Sequence, residues 1–283
     1  MSNSSSNPSS TGSVYGRVFL LFIGVLGLFL FFQILGVLLG LNVQAITALA
    51  QILGILGGAI IYQKKFASSG TQFFNFRRLG MPLVGLAVVL ITSVFLGLMA
   101  NLLGGLITEL APPLQEQAQS YQEQIQSLLL EGSIYTQLLA ALSVVLIAPI
   151  CEEIFFRGTM LAEQRRGQTA AGAIILNGVL FSAMHMNPVA FVPLAIVGAY
   201  FAHITLRSNS LWAAVAGHAA LNLVNGVLLL RLADHLEADL VDPAAVSLME
   251  IGVGLAIFVP LTVIGWWISI RILDEHNSAV PEN

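Results

Sequence analysis

Charged side chains are scarce in this chain of 283 residues. Lys, Arg, Asp and Glu together make up 9% of the sequence, whereas a soluble domain carries about 25%. Hydrophobic residues reach 57%, so the few charges could not cover a water-soluble fold of this size. This composition excludes a soluble enzyme and an intrinsically disordered chain. A net charge of −4 without a basic stripe also argues against binding to nucleic acid.

Cysteine is almost absent as well, since Cys151 is the one Cys of the chain. A single thiol excludes a disulfide within the chain and a zinc site built from several Cys. With a mean hydropathy of +0.86, the class that remains is a helical protein that crosses the membrane several times.

Long stretches without Asp, Glu, Lys or Arg stand where a soluble protein would have charges. Because a membrane-spanning helix needs about 20 predominantly apolar residues, these stretches predict an all-α, polytopic transmembrane helix bundle of about eight spans, with the active site inside the bundle. Seven spans with one re-entrant segment is the alternative. The predicted spans cover residues 18–41, 45–62, 81–103, 134–155, 170–186, 188–206, 210–230 and 249–270.

The chain divides into four predicted parts. Residues 1–13 are a Ser- and Asn-rich tail that we expect to be disordered, and residues 14–133 hold the first three spans and an outer loop. Residues 134–230 form the predicted catalytic core, and residues 231–283 the last span and a short tail. Apolar residues in the outer loop recur at helical spacing, which predicts an amphipathic helix that covers the bundle or lies on the membrane surface.

Basic residues are distributed unevenly between the two predicted sides of the membrane. If the N-terminus is cytoplasmic, Arg231 alone among the 11 Lys and Arg falls outside, as the positive-inside rule favours. We therefore expect a multi-pass protein with both termini in the cytoplasm, in a bacterial plasma membrane or a related membrane. The residues on the cytoplasmic side are Arg17, Lys64, Lys65, Arg77, Arg78, Arg157, Arg165, Arg166, Arg207 and Arg271.

Ionisable residues inside a span are costly in lipid and therefore point to function. Two carboxylates, Glu152 and Glu153, lie in the fourth predicted span. Glu153 and Arg157 are one helical turn apart and can form an ion pair. Glu152 is rotated by about 100° from Glu153, so it can face a cavity and act as a general base.

Two further pairs of side chains lie at similar predicted depths in later spans. Phe181 and His185 share a helix face, and so do His218 and Asn222, because each pair is four residues apart. A single His or Asn in a span is most often an interhelical hydrogen bond. Their joint occurrence with two Glu indicates one shared site.

Together these residues resemble the CPBP family of intramembrane endopeptidases, which includes CAAX proteases and bacteriocin-processing proteins related to the eukaryotic Ras-converting enzyme. The family pattern is EExxxR, then FxxxH, then HxxxN. Here the pattern stands at Glu152, Glu153 and Arg157, then at Phe181 and His185, then at His218 and Asn222, within roughly residues 134–225.

The resemblance implies a membrane-embedded protease of the glutamic or metallo type, with a Glu-activated water and an unassigned substrate. It implies Glu152 as the general base and His185 as a holder of the water. It implies His218 and Asn222 as the groups that stabilise the oxyanion. The supporting residues it implies are Glu153, Arg157 and Phe181.

The resemblance leaves the cofactor open between none and a divalent metal, zinc, which Glu152, His185 and His218 would then hold. The implied partners are a peptide or membrane-protein substrate and the lipid bilayer, and the oligomeric state stays open. Two other functions remain as alternatives. One is a non-catalytic immunity or scaffold protein of the membrane, and the other is a proton-coupled transporter that uses the Glu and His cluster.

Overall fold

A computed structural model of the chain describes residues 8–76, 79–236 and 247–279, and within these residues all regular structure is helical. This confirms the predicted all-α, polytopic fold. The helices are α1 (Pro8–Leu38), α2 (Val43–Lys65), α3 (Leu83–Leu110), α4 (Gln115–Leu130), α5 (Ile134–Gln164), α6 (Ala170–Met184), α7 (Phe191–Ser208), α8 (Trp212–Leu221, Asn222–Leu228 and Leu229–Leu236) and α9 (Leu248–Ala279).

Among the described helices, seven are long and apolar enough to cross a membrane, which are all except α4 and α6. The prediction of eight spans therefore counted one too many. Helix α6 matches the fifth predicted span, but its 15 residues measure about 22 Å, short of the roughly 30 Å of a bilayer core. It ends because Met186 turns the chain with φ 50° and Asn187 caps the next turn.

Parts of two predicted segments lie outside the described residues. Residues 1–7 of the predicted disordered tail are among them, whereas residues 8–13 belong to α1. Arg77 and Arg78, together with residues 237–246 and 280–283, also lie outside the described part.

Three helices begin at a capping residue that the sequence provides. Asn42, Ser133 and Thr169 each accept a hydrogen bond from a backbone N–H three residues later, at 2.8, 3.3 and 3.1 Å. A side-chain acceptor at this position pairs an N–H that would otherwise lack a partner. These caps fix where α2, α5 and α6 start.

Wide π-helical turns interrupt three helices. They lie at Ala50–Leu56 in α2, at Ser143–Ile147 and Ile154–Met160 in α5, and at Asn222–Leu228 in α8. A π-helical turn holds one residue more than an α-helical turn, so it changes the direction of the side chains that follow, and such turns are frequent at functional sites.

Helices α6 and α7 cross with their backbones in contact. A Cβ atom on Gly198 of α7 would lie 2.8 Å from the Cα of Gly178 in α6, closer than real Cβ atoms approach. Small residues allow membrane helices to approach in this way. This close packing brings α7 near the polar residues of α5.

One end of the bundle collects the segments with most basic residues. Arg166 donates to the Thr71 hydroxyl at 2.8 Å, and the Trp212 indole N–H donates to the Phe76 carbonyl at 2.8 Å. Residues 64–76, 163–169 and 207–212 thus lie together, and we name them the basic end.

The opposite end collects the acidic loop and its neighbours. Gln44 donates to the Leu128 carbonyl at 3.1 Å, and Arg231 donates to the Gln137 side chain at 2.8 Å. We name residues 38–44, 110–133 and 229–236 the acidic end. Segments predicted to share a side of the membrane therefore share an end of the bundle.

The orientation of these ends follows from the charge distribution and can be measured in intact cells. In a Cys151→Ala background, we expect Ser120→Cys at the acidic end to react with an impermeant maleimide and Ser69→Cys at the basic end not to react. Both positions are exposed, so both should react once the cells are permeabilised. The reverse pattern in intact cells would show that the protein has the opposite orientation in the membrane.

Candidate active site

The centre of the site is a buried ion pair on α5. Arg157 donates to Glu153 Oε1 at 2.8 Å, and both side chains are fully buried. The second guanidinium nitrogen of Arg157 donates to the Gly198 carbonyl of α7 at 2.9 Å. The pairing predicted from the spacing of four residues is thus present, and it also links α5 to α7.

Aromatic rings surround the Arg157 guanidinium. Its central carbon lies 4.6 Å from the ring centre of Phe181 and 5.7 Å from those of Phe156 and Phe201. A cation over an aromatic face is attracted to the ring's electrons. The rings therefore offset part of the cost of burying this cation, and they give Phe181 a supporting contact in the site.

His218 of α8 connects the two carboxylates. Its Nδ1 lies 2.9 Å from Glu153 Oε1, and its Nε2 lies 3.9 Å from Glu152 Oε2. Because a carboxylate accepts hydrogen bonds, Nδ1 donates to Glu153, and Nε2 faces Glu152. The ring of Phe201 stacks on the imidazole at 5.5 Å and fixes its plane.

His185 ends α6, and its ring lies next to Phe181 with the centroids 4.9 Å apart, as their shared helix face predicts. Its Nδ1 lies 2.9 Å from the Phe181 carbonyl oxygen, so Nδ1 is again the nitrogen that carries hydrogen. Nε2 is then available to form a hydrogen bond with a group in the cavity, which His185 lines.

Asn222 begins the π-helical turn of α8. Its side-chain amide donates to the Val144 carbonyl of α5 at 2.9 Å. An amide nitrogen has two hydrogens, so the hydrogen bond to Val144 orients the group and one N–H is left. Asn222 lines the same cavity as Glu152, His185 and His218. The structure therefore brings all four predicted catalytic residues to one space.

This space is a cavity of about 430 Å³, within the range of small-ligand sites. It extends from Glu152 towards the acidic end of the bundle. Beyond the four polar residues already named, its walls are mostly apolar. Residues that form the walls include Gly105, Thr108, Ala118, Tyr121, Gln122, Ile125, Asn187, Leu194, Val197, Leu221, Leu230 and Ile251.

Helix α4 supplies one wall of the cavity. The outer loop segment predicted to form an amphipathic helix is helical in the structure, and Ala118, Tyr121, Gln122 and Ile125 of this helix line the cavity. Tyr121 borders the cavity. Burial among the surrounding helices and the nearby Glu152 carboxylate both raise the pKa of the Tyr121 phenol.

Gln51 of α2 is a member of the site that the sequence patterns did not identify. Its side-chain amide donates to Glu152 Oε1 at 2.9 Å, and the side chain is buried. No motif surrounds it, and 101 residues separate it from Glu152. The sequence does contain one signal, because Gln51 is a polar residue inside a long apolar run. Gln33 and Gln44 show the same signal, so it does not single out Gln51.

The predicted metal ligands do not form a metal site in this arrangement. Within residues 8–76, 79–236 and 247–279, no three His, Cys, Asp or Glu side chains lie close enough to hold an ion. His218 and Glu152 face each other, but His185 does not complete a set of three with them. We therefore derive no chemical step through a metal.

Residues 134–224 match the family described as type II CAAX prenyl endopeptidase, Rce1-like. This confirms the resemblance predicted from the three motifs, and it covers about a third of the chain. No curated protein and no solved structure gives a significant match. The family supports a multi-pass, membrane-embedded endopeptidase that acts on a peptide substrate, while the roles of the individual residues stay predictions.

The buried ion pair should contribute strongly to stability. We expect Glu153→Gln and Arg157→Met each to lower the free energy of unfolding by about 3–5 kcal/mol, since each leaves a buried charge without its partner. The double variant should lose less than the sum of the two. Thermal unfolding in detergent measures these losses.

The matched control is the exposed pair of Arg207 and Asp274, whose side chains are 47% and 45% exposed. Variants of an exposed pair typically lose about 1 kcal/mol or less. Additive losses for Glu153 and Arg157, or losses as small as those of the control, would contradict the structural role of the buried pair.

Proposed function

From the match of residues 134–224 to a family of membrane endopeptidases, we propose that this protein hydrolyses peptide bonds inside the helix bundle with a water that Glu152 activates. The observation that supports this most directly is the position of Glu152 in the cavity wall with Oε2 facing His218 Nε2 at 3.9 Å. This distance exceeds a hydrogen bond, so both groups can contact one water molecule.

The two adjacent carboxylates have different partners. Glu153 is bound by the Arg157 guanidinium and by His218, whereas Glu152 has the neutral amide of Gln51. A carboxylate without a bound cation is the better proton acceptor. Glu152 is therefore the general base of the proposal, and Glu153 orients His218.

In the proposed reaction, a water O–H gives its proton to Glu152 Oε2. The water oxygen forms a bond to the carbonyl carbon, and the electrons of the C=O bond move to its oxygen. When the C–N bond breaks, the proton passes to the leaving nitrogen, and the products are a carboxylic acid and an amine. A general base of this kind accelerates reactions by about 10²–10⁴-fold.

The remaining polar groups act on the water and on the developing charge. The Nδ1 atoms of His218 and His185 are held by Glu153 and by the Phe181 carbonyl, so the two Nε2 atoms can form hydrogen bonds that orient the water. The amide of Asn222, held by its bond to Val144, offers an N–H to the oxyanion. In comparable sites, a hydrogen-bond donor that is already oriented towards the oxyanion raises the reaction rate by about 10²–10³-fold.

The two alternative functions have less support. A scaffold protein would not need an oriented His between two carboxylates, and a proton-coupled transporter would need related sites in two halves of the chain. Here the motif residues lie in residues 152–222, within the match to endopeptidases.

The decisive variant is Glu152→Gln, which keeps the shape of the side chain and removes its basicity. We expect cleavage to fall by about 10²–10⁴-fold with the thermal stability in detergent nearly unchanged. The measurement is mass spectrometry of a peptide library after incubation with purified protein.

Glu275→Gln is the matched control, because Glu275 is exposed and distant from the cavity, and it should retain the parent activity. If the activity of Glu152→Gln is within threefold of the parent activity, Glu152 is not the general base. Cleavage that a chelator abolishes and zinc alone restores would contradict the metal-free arrangement.

A further inference from the structure

The geometry points to a substrate that reaches the site through the acidic end of the bundle, past helix α4, as an uncharged and largely apolar peptide segment. This inference rests on the proposed function. It adds to that function the path by which the substrate enters the cavity and the chemical character of the substrate.

The cavity extends to one end of the bundle. Its walls come from the C-terminal half of α3, from α4, from the turn between α6 and α7, and from the adjoining parts of α8 and α9. None of the described residues of the basic end lines it. The cavity therefore extends from Glu152 away from the basic end.

At the basic end, the structure is closed by buried polar contacts. Glu163 is fully buried and lies 3.6 Å from Arg17 and 3.8 Å from Arg166. It also accepts a hydrogen bond from the Thr71 hydroxyl at 3.1 Å. These contacts join α1, α5 and the loop after α2, and the cavity that holds Glu152 is not lined by any described residue of that end.

The lining of the cavity defines which peptides fit. Apart from Glu152, His185 and His218, the described residues that line it include no ionisable side chain other than the phenol of Tyr121. Asn101, Gln122 and Asn187 supply uncharged polar groups that can bind a peptide backbone. A charged substrate side chain would have no partner here and would carry the full cost of desolvation.

Bulky modification of the cavity wall tests the path. In the Cys151→Ala background, Gln122→Cys places a thiol on the cavity side of α4, and Ser120→Cys places one on its exposed side. The probe is the apolar peptide that the parent protein cleaves fastest in the library. Each protein is assayed before and after reaction with a large maleimide, and mass spectrometry verifies complete modification.

We expect modification at Gln122→Cys to reduce cleavage at least tenfold, and modification at Ser120→Cys or at Ser69→Cys of the basic end to change it less than twofold. Unchanged cleavage by modified Gln122→Cys, or a large loss at Ser69→Cys, would overturn the inference. An inactive unmodified parent would instead contradict the proposed function.

A second inference rests on a different observation, the hydrogen bond between Gln51 and Glu152. We infer that Gln51 is a positioning residue that holds Oε1 of the catalytic carboxylate, so that Oε2 remains directed at His218 and the water. The bond measures 2.9 Å, and Gln51 is 7% exposed.

A neutral amide suits this position better than a cation. It fixes the rotation of the carboxylate through one strong hydrogen bond and adds no positive charge that would weaken the base. The π-helical turn Ala50–Leu56 carries Gln51, so the irregular helix geometry of α2 coincides with the residue that reaches the site. Loss of Gln51 should therefore reduce the rate of the chemical step without weakening substrate binding.

The test is Gln51→Met, which has similar length and no donor. We expect kcat to fall roughly 10-fold to 100-fold, the loss typical of a hydrogen bond to a charged group, with KM within twofold of the parent. Gln44→Met is the matched control, because Gln44 is a second buried Gln on α2 and donates to the Leu128 carbonyl away from Glu152.

The control should lose stability to a similar extent and keep kcat within twofold. If Gln51→Met does not fold, Gln51→Asn shortens the side chain by one methylene and should lower kcat in the same way. Parent-like kcat in the folded Gln51 variant, or an equal loss of kcat in Gln44→Met, would show that Gln51 has a purely structural role.

Discussion

The buried charge of Arg157 is the constraint on which the site depends. A guanidinium without solvent requires partners on every side, and the structure supplies a carboxylate from its own helix, a carbonyl from α7 and three aromatic rings. The carboxylate that pairs with it, Glu153, also fixes the hydrogen-bearing nitrogen of His218. The orientation of the imidazole towards Glu152 is therefore a consequence of neutralising Arg157.

The sequence predicted which residues share the cavity better than it predicted the geometry of the helices. Charge-free runs located the seven long helices, because lipid requires apolar side chains, but α3, α5 and α9 continue seven to nine residues past the predicted spans. The spacing of Glu153 and Arg157 predicted their contact, since four residues are one helical turn. The count of α6 as a full span was wrong, because its 15 residues are too few and the chain turns at Met186 with a positive φ that no local apolar pattern reveals.

Contacts between distant helices were beyond the reach of local patterns. Gln51 and Glu152 are 101 residues apart, and Asn222 and Val144 are 78 apart, so only the packing of the bundle brings them together. Local patterns do not reveal the π-helical turns either. These turns change which side chains face the centre of the bundle without any change in amino-acid composition. A periodicity argument assumes regular helices and cannot identify such residues.

In the proposed reaction, two neighbouring Glu residues with the same intrinsic chemistry have different functions because their surroundings differ. Glu153 is buried, paired with a cation and directed into the protein, which makes it an orienting group. Glu152 has a neutral partner on one oxygen and the cavity on the other, which leaves it available to accept a proton. Because their side chains are separated by about 100° around the helix, one short segment of α5 supplies both the support and the base. On the proposed path, the mostly apolar walls of the cavity and its extension towards the acidic end favour an uncharged peptide segment that arrives beside α4.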